Sequence, residues 1–263
     1  MPDLVLLKLG GSLITDKTSE ATARHDVIAR VAREIAGALA ARPDLRLLLG
    51  HGSGSFGHWP ASRHGTRAGV RGPAAWRGFA EVAAAAQRLN RIVTDALLAA
   101  GVPALSLQPS ASARCSDGEV VALDTFPIVR ALAEGLVPVL YGDVAIDDVR
   151  GGTIVSTEEL LDYLTLNLDP NRLLLAGEVE GVYAGDRLLP EISPANFDAV
   201  RDGIAGSHGV DVTGGMAGKV AQMLKTAGEH PGLVIRIFSA AEPGRLTRVL
   251  VNPAFATGTR ITA

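Results

Sequence analysis

The chain has 263 residues, of which 47% are hydrophobic and 20% are charged, and its formal net charge is -3. This length and apolar share predict a soluble globular protein with one large α/β domain or two small lobes. The slightly acidic balance argues against nucleic-acid or membrane-surface binding, so any anionic ligand must meet local positive charge. Cys115 is the only cysteine, and no apolar run approaches the ~20 residues of a membrane helix. With no signal-peptide pattern either, we expect a cytoplasmic protein.

Buried strands alternate with amphipathic helices along the first half of the chain. Continuous apolar runs predict four strands, at Leu4–Leu9, Arg46–Leu49, Ala104–Leu107 and Val137–Tyr141. Apolar residues at helical spacing predict three helices, at Asp26–Ala41, Pro73–Ala100 and Phe126–Glu134. Such alternation favours a mainly parallel sheet with helices on both of its faces.

The second half opens with a different pattern. Ala145–Val155 predicts a β-hairpin, because turn-forming residues separate two short apolar runs. Further elements are predicted at Glu158–Leu168 (helix), Arg172–Ala176 (strand), Gly214–Ala227 (helix) and Leu233–Phe238, the last clear strand. The β-rich stretch after Gly142 indicates where a first half passes into a second half of one globule.

Lysine is rare in this chain and lies near glycine. Only four of the 25 basic residues are lysines, and three of them, Lys8, Lys17 and Lys219, lie in or beside glycine-rich segments. A lysine ammonium is a compact point charge that reaches phosphate oxygens. Lys8 comes at the end of a predicted strand, just before Gly10-Gly11-Ser12, whose backbone N–H groups can bind an anion. An ordinary tight turn is the alternative for the two glycines.

A second glycine-rich segment, His51–His58, follows the strand Arg46–Leu49 and is interpreted as a loop. Loops that follow parallel strands meet at the carboxyl edge of the sheet, where open α/β sheets bind ligands. His58, beyond the glycines, is placed to reach a ligand oxygen. His51, next to the strand end, fits a structural role as well as a functional one.

Two further segments carry candidate residues. Asp211–Lys219 begins a helix with glycines, and a helix N-terminus favours anions, although an ordinary glycine-capped helix fits as well. Asp143 ends another strand, where it could orient a lysine, help to place a metal or be structural. The acidic residues Asp147, Asp148, Glu158 and Glu159 are expected to be solvated. No His or Cys cluster has metal-ligand spacing, so we expect no metal bound by the protein's own side chains.

Together these segments resemble the amino acid kinase superfamily and, within it, the isopentenyl phosphate kinases. The resemblance rests on six segments that span nearly the whole chain: Lys8–Ser12, Gly54–His58, Ser106–Ser110, Val139–Asp143, Asp211–Met216 and Gly258–Ile261. It implies a three-layer αβα sandwich with a mainly parallel central sheet and added β-hairpins. It also implies one domain, 1–263, with an acceptor-binding lobe at roughly 1–168 and a nucleotide-binding lobe at roughly 169–263.

The resemblance further implies an activity. This activity is the ATP-dependent phosphorylation of isopentenyl phosphate to isopentenyl diphosphate by direct in-line transfer. Mg²⁺ would arrive with ATP, no covalent enzyme intermediate would form, and the protein would be a homodimer. Positioning and charge stabilisation are what such a transfer requires of a protein.

Residue roles are implied in the same way. The implied catalytic residues are Lys8, Lys17, His58 and Lys219. The implied nucleotide-binding residues are Lys8, Gly10, Gly11, Ser12, Gly54, Glu178, Gly215 and Lys219. The implied acceptor-binding residues are Ser53, His58, Asp143 and Thr157.

The chain departs from the family pattern at three of these positions. Glycine is usual in the family where Ser53 and Thr157 stand, and aspartate where Glu178 stands. Threonine adopts a positive φ with difficulty, so a backbone of that shape at Thr157 would alter the acceptor contact.

Other functions remain open at this point. A related kinase could act on a phosphonate such as fosfomycin, on a carboxylate or on a nucleoside monophosphate, although a carboxylate would more naturally require an arginine clamp. A non-catalytic nucleotide-binding regulator is a further alternative. Retention of Lys8, Lys17 and Lys219 favours an enzyme over such a regulator.

Overall fold

A computed structural model of the protein describes residues 3–204 and 215–263. Its strands are β1 Asp3–Leu9, β2 Leu45–His51, β3 Ala104–Ser106, β4 Arg114–Ser116, β5 Glu119–Ala122, β6 Val137–Tyr141, β7 Asp143–Asp147, β8 Gly151–Val155, β9 Arg172–Gly177, β10 Val182–Ala184, β11 Arg187–Leu189, β12 Glu191–Ile192, β13 Val234–Ser239 and β14 Thr259–Ile261. Its α-helices are α1 Gly11–Ile14, α2 His25–Ala41, α3 Gly54–His64, α4 Gly72–Ala99, α5 Phe126–Ala133, α6 Thr157–Leu168, α7 Pro194–Val200, α8 Gly215–Glu229 and α9 Arg245–Val251. No helix in the described ranges is both long and apolar enough to span a membrane.

The centre of the fold is an eight-stranded sheet in the order β12-β14-β13-β9-β1-β2-β6-β3. Every neighbouring pair in this sheet is parallel except β13 and β14. The central strand β1 pairs with both β2 and β9, so the carboxyl ends of these three strands lie at one edge. The prediction of a mainly parallel sheet is therefore confirmed.

Two hydrophobic cores lie on opposite faces of the sheet. Alternate residues of a strand point to opposite faces, so Val5 and Leu7 contact one core and Leu6 contacts the other. The first core also contains the apolar faces of α2, α4 and α9, and the second contains those of α5, α6 and α8. This arrangement confirms the predicted three-layer αβα sandwich.

A smaller sheet, β5-β4-β7-β8, carries the predicted hairpin, which is formed by β7 and β8. Asp147, at the end of β7, is buried rather than solvated, and that prediction was wrong. Its carboxylate accepts backbone N–H groups from Gly118, Val149 and Arg150, among others. Burial alone would raise the pKa of Asp147, but these hydrogen bonds favour the carboxylate and lower its pKa.

Several short elements were not predicted. They include β4, β5, the β10–β11 hairpin, β12, α7 and α9, and β14 follows the strand that was predicted to be the last. A strand of two to four residues is too short to show an alternation of apolar and polar side chains. One continuous sheet runs through both predicted lobes, since β9 pairs directly with β1.

Candidate active site

The two glycine-rich segments that follow β1 and β2 interlock at the carboxyl edge of the sheet. A Cβ atom on Gly11 would lie 2.7 Å from the Cα atom of Gly54, and a Cβ on Gly52 would lie 2.9 Å from the nitrogen of Gly11. The Gly52 N–H also donates a hydrogen bond to the Leu9 carbonyl, at 3.0 Å. Only glycine fits such backbone contact, so the glycines bring the two segments together.

The second segment is mostly helix, which corrects the interpretation of 51–58 as a loop. Helix α3 begins at Gly54, whose φ is +50°, and a Cβ at this residue would lie 2.1 Å from Thr15 Oγ1. His58 therefore lies on α3, where it is exposed. Ser53 precedes the helix, and its Oγ would lie 2.2 Å from a Cβ on Gly57, so its hydroxyl faces the helix.

The predicted backbone donors after β1 differ in availability. The Gly10 N–H donates to the Ala176 carbonyl at 2.8 Å, so it is engaged within the sheet. Gly11 and Ser12 form the first turn of α1, where N–H groups have no partner within the helix. Gly11 and Ser12 are therefore better placed than Gly10 to donate to an anion.

A lysine-rich charge cluster lies beside these segments. Lys8 Nζ donates to Glu158 Oε1 at 2.6 Å, and Lys219 Nζ lies 4.0 Å from the same oxygen. The side chain of Glu158 is only 15% exposed, so the expectation that it is solvated was wrong. Burial alone would raise its pKa, but attraction to Lys8 and Lys219 and the hydrogen bond from Lys8 lower the pKa of Glu158 below its usual value. One carboxylate thus holds two ammonium groups close together.

The start of α6 places Glu158 in this cluster. Ser156 and Glu159 form a capping box, and Glu159 also pairs with Arg67 in a bidentate ion pair. Thr157 is buried, and its Oγ1 donates to the His51 carbonyl at 2.6 Å. Its backbone has no positive φ, so threonine fits here without strain. The side chain of Thr157 therefore anchors α6 to β2.

Asp143, the first residue of β7, is also buried. Its carboxylate accepts the N–H of Ser110 at 3.1 Å and that of Val144 at 2.9 Å. Burial raises the pKa of Asp143, and these hydrogen bonds offset part of that rise. Its observed contacts support the segment after β3.

The remaining predicted residues lie around the same edge. Lys17 is exposed in the turn after α1, and Gly215, with φ of +69°, is the first residue of α8. Glu178 follows β9 and pairs with Arg24, while its carbonyl accepts the hydroxyl of Ser239. The predicted segment 211–214 lies outside the described residues.

Comparisons with known proteins agree with this geometry. The sequence model of the Amino acid kinase family matches residues 3–239. The isopentenyl phosphate kinase of Methanothermobacter thermautotrophicus is 38% identical, and the alignment covers 98% of this chain and 99% of that protein. The chain belongs to the amino acid kinase family, among the isopentenyl phosphate kinases.

Other members of the family support this assignment. The isopentenyl phosphate kinase of Haloferax volcanii is 39% identical over 89% of this chain and 98% of its own length. A crystal structure of an isopentenyl phosphate kinase superposes with a TM-score of 0.83 at 35% identity, covering 98% of this chain and 100% of that one. A substrate complex of an isopentenyl phosphate kinase gives a TM-score of 0.77 at 28% identity, with 98% and 99% coverage. The chain is therefore a kinase.

Sequence reasoning missed one residue of this kinase's site, Glu158. The capping-box pattern Ser156-Thr157-Glu158-Glu159 is a signal for a helix start, and it could have placed Glu158 at the exposed end of a helix near the sheet edge. Its pairing with Lys8 spans 150 positions, and no local pattern predicts that contact. His51 was left open between a structural and a functional role, and its burial in the core places it out of contact with any substrate.

Proposed function

We propose that this kinase transfers the γ-phosphoryl group of ATP to isopentenyl phosphate and so forms isopentenyl diphosphate. The observation that carries the proposal is the cluster of Lys8, Glu158 and Lys219 beside the interlocked glycines. Phosphoryl transfer depends on positioning and on positive charge around the transferred group, and this cluster supplies both. The names of the relatives supply the acceptor, isopentenyl phosphate.

On the nucleotide side, Lys8 and Lys219 would neutralise charge on the phosphates as the bond to the leaving group breaks. Glu158 would hold the two ammonium groups beside the phosphate-binding site. The backbone N–H groups of Gly11 and Ser12 would bind phosphate oxygens, and the missing side chain of Gly54 lets α3 pack directly against Gly11. We leave Gly10 out of the proposed donors, because its N–H is bonded to Ala176.

Other residues of the nucleotide side follow from their place at the same edge. Lys17 in its exposed turn would contact the phosphates when they are bound, and Gly215 opens α8 towards them. Glu178 would border the nucleotide at the end of β9. The described residues contain no cluster of three or more His, Cys, Asp or Glu that could hold a metal ion. Mg²⁺ would arrive with ATP, with the phosphates of the nucleotide as its main ligands.

On the acceptor side, helix α3 would bind the phosphate of isopentenyl phosphate. The N-terminus of a helix attracts anions, and His58, one turn along, would donate a hydrogen bond to a phosphate oxygen. Ser53 would bind through its backbone, since its hydroxyl faces Gly57. Asp143 and Thr157 would act as supports of this side rather than as direct ligands. The acceptor-binding lobe would span roughly 1–168, with its residues Lys8, Gly11, Ser12 and Lys17 facing the nucleotide, and the nucleotide-binding lobe would span roughly 169–263. The protein would be a cytoplasmic homodimer.

An acceptor panel tests the proposal. ADP release is measured with ATP and Mg²⁺ alone, and then with isopentenyl phosphate, dimethylallyl phosphate or fosfomycin. We expect the highest kcat/KM with isopentenyl phosphate. Turnover of fosfomycin above that of isopentenyl phosphate, or ATP binding with no turnover of any acceptor, would overturn the proposal.

A substitution at His58 tests whether this residue binds the acceptor and not the nucleotide. We expect His58→Ala to lose about 10²-fold in kcat/KM for isopentenyl phosphate while the Kd for ATP is unchanged, because the lost hydrogen bond belongs to the acceptor. The matched control is His64→Gln, at the other end of α3, where the histidine pairs with Glu81. An equal loss of ATP binding in His58→Ala would place His58 on the nucleotide side or in the fold.

A further inference from the structure

A chain of three polar side chains, two of them buried, lies directly behind Gly52. His51 is fully buried and Asn90 is 5% exposed. Asn90 Nδ2 donates to His51 Nε2 at 3.1 Å, and Ser106 Oγ donates to Asn90 Oδ1. The next buried positions of α4, Leu89 and Val93, are apolar. Burying polar groups costs free energy even when they are paired, so His51 and Asn90 require a reason beyond packing.

The hydrogen bonds assign the tautomer of His51. The Gly52 carbonyl oxygen can only accept, so the ring nitrogen 3.1 Å from it, Nδ1, carries the proton. In the neutral ring Nε2 is then the acceptor, so the Asn90 amide N–H faces it and Asn90 Oδ1 accepts from Ser106. The Tyr141 ring stacks on the imidazole with centroids 5.6 Å apart and planes 13° from parallel. The ring is therefore fixed in both orientation and protonation.

Gly52 makes three contacts that fix its position, and the His51 ring provides one of them. Its Nδ1–H group contacts the Gly52 carbonyl, the Leu9 carbonyl accepts the Gly52 N–H, and the Gly52 α-carbon lies against Gly11. Two residues later, α3 begins at Gly54. The orientation of Gly52 therefore sets the direction in which the acceptor-side helix leaves the sheet.

The backbone of His51 reaches the other side of the site. Its carbonyl accepts Thr157 Oγ1 at 2.6 Å and the Gly142 N–H at 3.1 Å. Thr157 is followed by Glu158, the carboxylate that holds Lys8. One buried residue thus connects the acceptor turn with the lysine cluster.

We propose that His51 is a positioning residue for phosphoryl transfer: its Nδ1–H group, directed by Asn90 and Ser106, holds the Gly52 carbonyl and aligns the acceptor turn with the Lys8–Glu158–Lys219 cluster. This inference rests on the proposed function for its kinetic meaning. His51 is too deeply buried to contact substrate and acts through Gly52. A displacement of about 1 Å at a reacting group costs on the order of 10²-fold in rate.

A pair of substitutions separates positioning from packing. In His51→Asn, the side-chain nitrogen lies one bond from Cγ, like Nδ1, and can still donate to Gly52. In His51→Gln, the amide oxygen takes the place of Nε2 and can still accept from Asn90, but the donor to Gly52 is lost. We expect kcat to fall about 10- to 100-fold in His51→Gln and to stay at least about fivefold higher in His51→Asn, with the KM for ATP unchanged in both. A purely structural role predicts the reverse order.

The control is Thr94→Val, one turn further along α4, where a buried hydroxyl has no hydrogen-bond partner among the described residues. We expect its kcat to equal that of the wild type, and thermal melts confirm that each variant is folded at the assay temperature. Equal kcat values for His51→Gln and the wild type, or a lower kcat for His51→Asn than for His51→Gln, would overturn the inference.

Nuclear magnetic resonance gives a readout that needs no turnover. The ¹⁵N spectrum of the His51 ring is expected to show a protonated Nδ1 and an unprotonated Nε2 at pH 7. Amide hydrogen exchange at Gly52 is expected to speed up in His51→Gln and not in His51→Asn. A protonated Nε2, or equal exchange in both variants, contradicts the inference. If the wild type turns over no isopentenyl phosphate, the proposed function fails, and these spectra still decide the role of His51.

Discussion

The lysine side and the glycine side of the active site are built in opposite ways. On the lysine side, Lys8 and Lys219 share the single carboxylate of Glu158, and charge holds the arrangement. On the glycine side, Gly11 and Gly54 touch through their backbones, and the absence of side chains makes the arrangement possible. The first side depends on which charges are present, whereas the second depends on space. Substitutions on the lysine side should therefore change rate more than stability, and substitutions on the glycine side should change both.

The largest effect is expected from Lys8→Met. This change keeps the length of the side chain and removes its charge, so we expect kcat to fall on the order of 10³-fold, as when a group that stabilises transition-state charge is lost. ADP release under saturating substrates measures the effect. Lys225→Met is the control, since Lys225 is 74% exposed and pairs only with Glu229 among the described residues. A loss of similar size in Lys225→Met would show that the effect is general and not specific to the cluster.

Gly54→Ala tests the glycine side. Its Cβ would lie 2.1 Å from Thr15 Oγ1 and 2.9 Å from the Gly11 carbonyl oxygen, and φ is positive. We expect the free energy of unfolding to fall by about 3 kcal/mol, together with a loss of activity. Gly65→Ala is a matched control, because Gly65 also has a positive φ but nothing lies within 4 Å of its Cβ position. We expect Gly65→Ala to lower the free energy of unfolding by about 1 kcal/mol, because only the positive φ opposes the new side chain. Urea unfolding measures the free energy of unfolding of both variants. Equal losses would show that the contact between the two glycine-rich segments is unimportant.

Glu158→Gln sharpens the comparison, since it alters charge without altering shape. Glutamine can still accept a hydrogen bond from Lys8, but it cannot balance two ammonium groups, which then repel each other. We expect kcat to fall on the order of tenfold with little change in the fold. Steady-state kinetics and circular dichroism are the measurements, and Glu229→Gln on the surface of α8 is the control. An unchanged kcat in Glu158→Gln would mean that the lysines need no carboxylate to hold them.

The smallest effect is a pH dependence of stability that arises between the two sides, at His51. Burial, with a smaller contribution from the charge of Lys8, lowers the pKa of His51 from 6.5 to about 4, and the hydrogen bond with Gly52 opposes this shift. Between pH 6.5 and about 4, the unfolded chain binds a proton at His51 that the folded chain does not bind. The contribution of His51 to stability is therefore complete above pH 6.5 and is lost as the pH falls towards 4.

Lowering the pH from 7 to 5.5 should therefore cost the wild type about 1 kcal/mol more than it costs His51→Asn. Urea unfolding at the two pH values measures the difference. Parallel losses in the two proteins would mean that His51 binds its proton equally well in the folded and unfolded states.

The same contrast explains which parts of the molecule were predictable. The long elements were predicted to within a few residues because their patterns are local: β1 is an apolar run, and α2 repeats apolar residues at helical spacing. The meeting of Gly11 with Gly54 was also foreseeable, since parallel strands end at one edge. The prediction of a loop at 51–58 was wrong because a run of glycines suggests a flexible segment. In the structure each of these glycines instead avoids a clash with a defined neighbour.

The sequence by itself determined the α/β layering, the family and the choice of Lys8, His58 and Lys219 as candidates, because each follows from residue type and near-neighbour spacing. Only the tertiary structure decided that Glu158 joins Lys8 to Lys219 and that His51 supports Gly52. Both contacts depend on the burial of a polar group between elements distant in the chain. The free energy of such a group depends on partners that the local sequence does not specify.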